Sequence, residues 1–301
     1  MTAELHIGTS GYSFPHWVGT ANPEGTRQAE MLQTYARDFD TVEINFTYYR
    51  DPTPEMFEGM LRKVGSDFEF VVKAPKGMTH DRDAMPIVTP AFITSLQPLI
   101  DAGQLGGVLL QFPQSFHLNN ETLDHLKRVA DVFVAQDIEA SIEFRHKEWT
   151  SDRVYQLLEK LQLGFVNVDL PHIGVLPEPT NILTNDIAYY RLHGRNKAAW
   201  YNPATGSHRY DYLYSDAELE EWAERIEGSL DSAKKTYVFG NNCHKGSSFV
   251  NALQLKQRFK QEVRSDADVA HTLFASDDPG ERIIELTSRV VAARGLEKDL
   301  G

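Results

Sequence analysis

The sequence predicts a (β/α)8 barrel, because short apolar runs alternate with helical patterns about eight times along 301 residues. Such alternation implies parallel strands joined by crossover helices, which a doubly wound open sheet would share. The polar residues of the strands favour the barrel. Nearly every predicted strand carries polar side chains on one of its two faces, and an open sheet gives no such convergence from all of its strands.

The predicted strands are short and apolar. They cover residues 5–10, 41–47, 68–74, 107–112, 140–145, 165–170, 188–193 and 236–241. Helical patterns lie between them at residues 28–39, 54–64, 90–100, 121–134, 152–161 and 217–230, and one follows the last strand at 248–263; several come after N-cap residues such as Asn119 and Ser215. We expect one domain spanning residues 1–301. Its C-terminal part, about residues 265–301, forms an appendage whose helix at 279–293 packs on the barrel.

Composition and charge limit the classes of function. The formal net charge of −13 disfavours a general nucleic-acid or anionic-membrane binder, whose first requirement is a basic surface. The single cysteine, Cys243, excludes an internal disulfide, and no apolar run approaches the roughly 18 residues of a membrane span. The first residues carry no export signal. We therefore expect a soluble cytoplasmic protein that does not bind membranes, and the sequence leaves its oligomeric state open.

Side chains alternate between the two faces of a strand, so the apolar face of each strand assigns the other face to the barrel lumen. On the sixth strand, for example, this places Val166 and Val168 outside. The predicted inward set contains both signs of charge: His6, Gly8, Ser10, Glu43, Asn45, Lys73, Gln111, Glu143, Arg145, Asn167, Asp169, Arg191, His193 and Asn241. Barrel enzymes place their active sites at the carboxyl ends of the strands, where much of this polar ring lies.

Five residues at strand ends are candidate catalytic groups: Glu43, Glu143, His146, Asp169 and His193. Glu43 and Glu143 come from well separated strands and could flank a ligand as acid and base. The histidines could transfer protons or join a carboxylate at a divalent metal. No closely spaced metal-binding motif is present, so no metal ligand is assigned and no cofactor is expected.

Charged groups in the ring permit a second interpretation, in which they form an ion-pair lattice that merely fills the lumen. Apolar residues would fill it at a lower cost, so a functional role is favoured. The candidate substrate-binding residues are Ser10, Asn45, Lys73, His80, Gln111, Arg145, Trp149, Arg191, Arg195, Trp200 and Asn241. Among them Lys73, Arg145 and Arg191 would hold an anion.

Two loops near the predicted mouth have alternative interpretations. Residues 194–215 interleave basic and aromatic side chains, including Arg195 and Trp200, and could form a lid over a sugar ring or a nucleobase. They could equally pack over the mouth without touching a ligand. The turn at residues 241–248 could hold a phosphate with help from Lys245, or its Gly246 could simply cap the following helix.

Several motifs in one order resemble the YecE-like family. They are GTSGYSFPHW at 8–17, TVEINFTYYR at 41–50, LQFP at 110–113, IEFRH at 142–146 with Trp149, YRLHG at 190–194 and the paired asparagines at 241–242. The resemblance covers most of the chain and implies a TIM-barrel fold. It supplies no established reaction, because this family is known as a domain of unknown function.

The leading hypothesis is an enzyme with hydrolase-like acid–base chemistry on a small, polar, anionic substrate such as a sugar-phosphate or a phosphoester; isomerisation would use the same groups. The first alternative is a nucleic-acid-processing or nucleic-acid-binding accessory protein, which the net charge disfavours. The second is a non-catalytic metabolite sensor, which would be stabilised by its ligand without turnover.

Overall fold

A computed structural model describes residues 3–203, 206–262 and 279–295. Within these residues, eight parallel strands form a sheet in the order β1-β8-β7-β6-β5-β4-β3-β2. The strands are β1 Glu4–Thr9, β2 Thr41–Ile44, β3 Glu69–Lys73, β4 Leu105–Gln111, β5 Ala140–Glu143, β6 Gly164–Asp169, β7 Ile187–Leu192 and β8 Lys235–Gly240. A bridge between Ser10 and Glu43 brings β1 beside β2, so the sheet nearly closes. The predicted barrel is confirmed.

The described helices are α1 Met31–Tyr35, α2 Pro54–Leu61, α3 Lys76–Thr79, α4 Met85–Asp101, α5 Asn120–Val134, α6 Asp152–Lys160, α7 Asp216–Leu230, α8 Ser247–Arg258 and α9 Pro279–Arg294. The predicted caps of α5 and α7 are present: Asn119 accepts from the Thr122 backbone N–H at 3.0 Å, and Ser215 accepts from that of Glu218 at 3.4 Å. The helix predicted at 90–100 begins earlier, at Met85, so Pro90 lies inside α4.

Two apolar clusters form the core, one outside the barrel wall and one inside it. The outer cluster lies between strands and helices and includes Ile7, Val42 and Ile142. The inner cluster fills the lumen and includes Val71 and Leu109 with Tyr189 of β7 and Tyr237 and Phe239 of β8. The middle of the lumen is therefore a packed core, and most of the polar ring lies at the carboxyl ends of the strands, whereas His6 lies at the amino ends with Glu69.

The predicted faces of β6 are wrong. Val166 and Val168 belong to the inner cluster, so Asn167 and Asp169 point outward. The segment 170–186, which is described throughout, joins β6 to β7 without a helix. This segment supplies the polar partners of the outer face: Asn167 Oδ1 accepts from the Ile182 backbone N–H at 2.8 Å. Polar residues could therefore face outward here, and the faces predicted for the other seven strands agree with the two clusters.

The predicted C-terminal helix is confirmed as α9. Its Leu286 and Val290 are fully buried in the outer cluster. Two ion pairs at its ends, Arg282 with Asp38 and Arg294 with Asp211, tie it to the barrel. The rest of the predicted appendage, residues 265–278 and 296–301, lies outside the described residues. In the described part of the chain, each helix is too short or too polar to cross a membrane.

Candidate functional site

Arg191 is the centre of a buried ion cluster at the carboxyl end of the barrel, which we define as Glu43, Glu143, Arg145, Arg191 and His193. Its Nη2 donates to Glu43 Oε1 at 2.7 Å, and its Nη1 pairs with Glu143 Oε2. Arg145 pairs with the other oxygen of Glu143 through Nε. Both glutamates are completely buried, and Arg191 is 2% exposed. Two carboxylates and two guanidinium groups therefore balance each other.

Glu43 is held as a carboxylate by a full set of donors. Ser10 Oγ lies 2.7 Å, Asn45 Nδ2 2.9 Å and the Tyr189 hydroxyl 2.6 Å from its oxygens. Burial alone would raise the pKa of Glu43, but the charge of Arg191 and the hydrogen bonds from Arg191, Tyr189 and Ser10 lower it. An ionised carboxylate whose oxygens are occupied is a poor general acid.

Glu143 and His193 share a hydrogen-bonded chain. Burial opposes ionisation of Glu143, yet the charges of Arg145 and Arg191 lower its pKa well below the usual value. Burial, and then the charge of Arg145, lower the pKa of His193 to about 3, so its imidazole is neutral. His193 Nδ1 lies 2.7 Å from Asn241 Nδ2, and its Nε2 lies 3.3 Å from Glu143. Because an amide nitrogen only donates, Nδ1 accepts from Asn241 and Nε2 carries the proton that points to Glu143; Arg145 Nη2, 3.4 Å from Nε2, is also a donor and forms no hydrogen bond with this tautomer.

Lys73 ends β3 beside this cluster and differs from the other cations. Its Nζ lies 2.9 Å from Gln111 Oε1 and 4.5 Å from the ring centre of Tyr48. Among the described residues, it has no carboxylate within ion-pair distance. Burial, and then the charge of Arg191, lower the pKa of Lys73 to about 7. Its amine can therefore gain or lose a proton near neutral pH.

The mouth above the cluster holds two adjacent cavities of about 460 and 320 Å³. Both are lined by Lys73, Gln111, Arg145, Arg209 and Tyr210. Aspartate and glutamate are missing from the described lining of both cavities. A basic mouth in a protein of net charge −13 favours anion binding.

Most of the predicted substrate-binding residues meet at this mouth. The larger cavity is lined by Ser10, Asn45, Lys73, Gln111, Arg145, Arg191 and Asn241, and the smaller one adds His80 and Trp200. Trp200 is 5% exposed, with the guanidinium groups of Arg145 and Arg209 5.6 and 5.5 Å from its ring centre. The loop after β7 is thus anchored over the mouth by a buried tryptophan.

Asp169 and Arg195 do not reach the mouth, so the prediction that places them there is wrong. Arg195 Nε donates to Asp169 Oδ2 at 2.9 Å. Its other nitrogens pair with Glu218 at 3.4 Å and Glu221 at 3.3 Å, both on α7. The reversed faces of β6 point Asp169 toward this helix, and Arg195 links Asp169 to the two glutamates of α7.

Trp149 and His146 also lie away from both cavities, contrary to the prediction. Trp149 is completely buried and stacks on Phe144, with ring centres 4.3 Å apart. Its indole N–H donates to the Phe116 carbonyl at 2.6 Å. His146 contacts Glu148 in the same loop. The strand ends at Glu143, so the period-two alternation gives no direction for these side chains.

Tyr189 and Tyr49 are site residues that the sequence interpretation missed. The Tyr189 hydroxyl donates to Glu43, and Tyr189 is two residues before Arg191 on β7, so strand alternation could have found it. Tyr49 lines both cavities and is 82% exposed at the rim. It follows a 3-10 turn after β2, where the sequence carries no directional signal.

The turn after β8 does not present its lysine to the mouth. Lys245 Nζ bonds to the Ala293 carbonyl of α9, and Gly246 caps α8 with a left-handed φ of 90°. Cys243 lines the larger cavity, but burial raises the pKa of its thiol to about 12. The capping interpretation of this turn agrees with these contacts, and the thiol is unreactive at neutral pH.

Comparisons with known proteins agree with this fold. A family profile described as "Protein of unknown function DUF72" matches residues 6–273. UPF0759 protein YunF of Bacillus subtilis is 30% identical over 267 residues, which are 83% of this chain and 93% of YunF. UPF0759 protein YecE of Escherichia coli is 33% identical over 115 residues, 37% of this chain and 39% of YecE.

Solved structures show the same architecture. A crystal structure of a DUF72 family protein from Thermotoga maritima superposes with a TM-score of 0.79 at 37% identity, covering 86% of this chain and 100% of that one. Another, from Enterococcus faecalis, has a TM-score of 0.77 at 26% identity, over 86% of this chain and 96% of that one. The family resemblance is confirmed by sequence and by fold, and the chain belongs to the DUF72 family of barrel proteins.

Proposed function

We propose that the protein is an enzyme that binds a small anionic substrate at the barrel mouth and hydrolyses a phosphoester, such as a sugar-phosphate, by acid–base chemistry. The observation that carries this proposal is the lining of the mouth. Lys73, Arg145, Arg191 and Arg209 line the larger cavity, and its described lining contains no carboxylate. A cavity of about 460 Å³ lies within the size range of small-molecule sites.

The roles follow from the partners of each group. Glu43 is held ionised by Arg191, and Glu143 by Arg145 and Arg191, so the two glutamates position the cations and do not act as an acid and base pair. Lys73 takes the acid–base role, because its pKa of about 7 matches the working pH of most enzymes. Arg145 supplies a fixed charge for a phosphoryl oxygen.

Anion binding and protonation of Lys73 should be coupled. An anion beside the amine favours its charged form and raises its pKa. Binding of sulfate, an anion that does not itself titrate near neutral pH, should therefore take up protons. Calorimetry in buffers of different ionisation enthalpy measures this uptake directly.

The test compares wild type with Lys73→Met and a matched control, Lys76→Met. Lys76 is exposed and pairs with Asp81 at 2.9 Å, away from both cavities. We expect inorganic phosphate and sugar-phosphates to bind the wild type and the control, and to bind Lys73→Met at least tenfold more weakly. Release of phosphate from a phosphomonoester panel measures turnover. Failure of phosphate and of the whole panel to bind wild-type protein would overturn the proposal.

A second candidate, a protein that binds single-stranded nucleic acid, is favoured by Tyr49. Its ring is 82% exposed at the rim of a mouth that also contains Arg209, a combination that can stack a base and neutralise a phosphate. It predicts salt-sensitive oligonucleotide binding that Tyr49→Ala weakens. A third, a metabolite sensor, predicts thermal stabilisation by a ligand without turnover. A cytoplasmic location stays a prediction.

A further inference from the structure

We infer that His117, His146 and Glu148 form a binding site for a divalent transition metal, separate from the mouth. Nδ1 of His117 lies 2.8 Å from Glu148 Oε1, and Nδ1 of His146 lies 3.3 Å from the same oxygen. One ligand atom from each residue lies within 4.8 Å of the others. Two ligands of a tetrahedral zinc are about 3.3 Å apart, given bonds of about 2.0 Å. To close on an ion, the set needs small side-chain movements, and Nδ1 of His146 must give up the hydrogen bond that it accepts from the Glu148 backbone N–H at 3.3 Å.

The two loops that carry these ligands are fastened together by buried aromatic residues. The Trp149 indole donates to the Phe116 carbonyl at 2.6 Å, which joins the residue after Glu148 to the residue before His117. Trp149 also lies 5.2 Å, ring centre to ring centre, from Phe116. The loop residues next to the ligands are thus held together by a fully buried tryptophan. Such preorganisation of the two loops lowers the entropic cost of binding a metal ion.

Glu148 is oriented by its neighbours as a metal ligand needs to be. Its Oε1 accepts from the Leu118 backbone N–H at 3.0 Å in addition to His117. Metal-ligating carboxylates are commonly hydrogen-bonded in this way. Two imidazoles and one carboxylate favour Zn²⁺, Co²⁺ or Ni²⁺ over Mg²⁺ and Ca²⁺, which prefer oxygen ligands. His117 is exposed, so water can complete the coordination.

A similar trio at the opposite end of the barrel is already neutralised by a lysine. Glu4, His6 and Glu69 also bring three ligand atoms within 4.8 Å. Lys235 pairs with both of those carboxylates, so an ammonium group already occupies the position of a cation. No described lysine or arginine forms an ion pair with Glu148.

The experiment is a calorimetric titration of tag-free, EDTA-treated protein with ZnCl₂, with CoCl₂ and its visible absorption as an independent reading of coordination. The wild type should bind one Zn²⁺, and His117→Ala and His146→Ala should each weaken binding at least tenfold. His172→Ala is the matched control, because His172 pairs with Glu178 at 3.3 Å and belongs to neither described trio. It should bind as wild type does.

Two results would overturn the inference: folded wild-type protein that takes up no Zn²⁺, or a His117→Ala/His146→Ala variant that binds it as well as wild type. A circular dichroism melt confirms that each variant is folded. Because neither histidine lines the mouth, phosphate binding by these variants reports on the proposed function independently.

Discussion

Replacing Lys73 with methionine should stabilise the protein at neutral pH while it removes anion binding. The amine of Lys73 titrates near 10.5 in an unfolded chain and at about 7 in the fold. Between these values the unfolded state holds a proton that the native state lacks, so the stability of the wild type rises with pH. The variant has no such group. The free energy of unfolding of Lys73→Met therefore exceeds that of wild type most below pH 7. This difference should shrink by about 2 kcal/mol between pH 7 and pH 9.

Urea unfolding at pH 7, 8 and 9 measures this difference for wild type, Lys73→Met and the control Lys76→Met. The control should differ from wild type by less than about 0.5 kcal/mol at each pH, because Lys76 is exposed. Loss of the hydrogen bond to Gln111 lowers the free energy of unfolding of Lys73→Met at all three pH values, so it does not change the dependence on pH. If the gap between wild type and Lys73→Met is the same at pH 7 and pH 9, Lys73 stays charged and its acid–base role fails.

Three further predictions test the other parts of the site. Arg191→Met should lower the free energy of unfolding by about 3–5 kcal/mol in urea at pH 7, because it leaves two buried carboxylates without their shared cation. A second change, Glu43→Gln, should recover part of this loss; no recovery would argue against charge as its cause. Asp169→Asn should cost about 1–3 kcal/mol and leave phosphate binding unchanged in calorimetry, since Asp169 faces α7; weakened binding would place it at the site after all. Trp149→Phe leaves the Phe116 carbonyl without its donor, so it should cost about 1–3 kcal/mol and weaken Zn²⁺ binding, whereas Zn²⁺ affinity equal to wild type would contradict the fastening of the two loops.

The barrel was predictable because its strands carry two separate periodic signals. Apolar residues such as Val42 and Ile142 pack under helices, and the residues between them face the lumen. The rule fails on β6 because it assumes an apolar outer face. The segment after β6 supplies hydrogen-bond partners to Asn167, so a polar outer face is satisfied there. The sequence shows no helical pattern between the strands predicted at 165–170 and 188–193, but the alternation rule does not use that information.

The candidate site was predictable where it rests on strands and unpredictable where it rests on loops. Glu43, Glu143 and Arg191 meet because strand alternation and the carboxyl ends of β2, β5 and β7 fix their positions. Trp149 follows β5 in a turn, and its burial depends on a stack with Phe116 from another loop. Contacts between loops come from tertiary packing, which no local spacing in the sequence records.

The charges at the mouth also bear on whether the polar ring is only a lattice. Glu43 and Glu143 with Arg191 and Arg145 form a balanced set, and a lattice that fills space needs nothing more. Lys73 is a surplus cation beside that set, and its lowered pKa shows that the fold opposes its charge. An apolar residue at this position would remove that cost. The charge of Lys73 lowers the stability of the fold, and its side chain lines a cavity. This combination supports a binding or catalytic role, because functional residues commonly occupy destabilised positions.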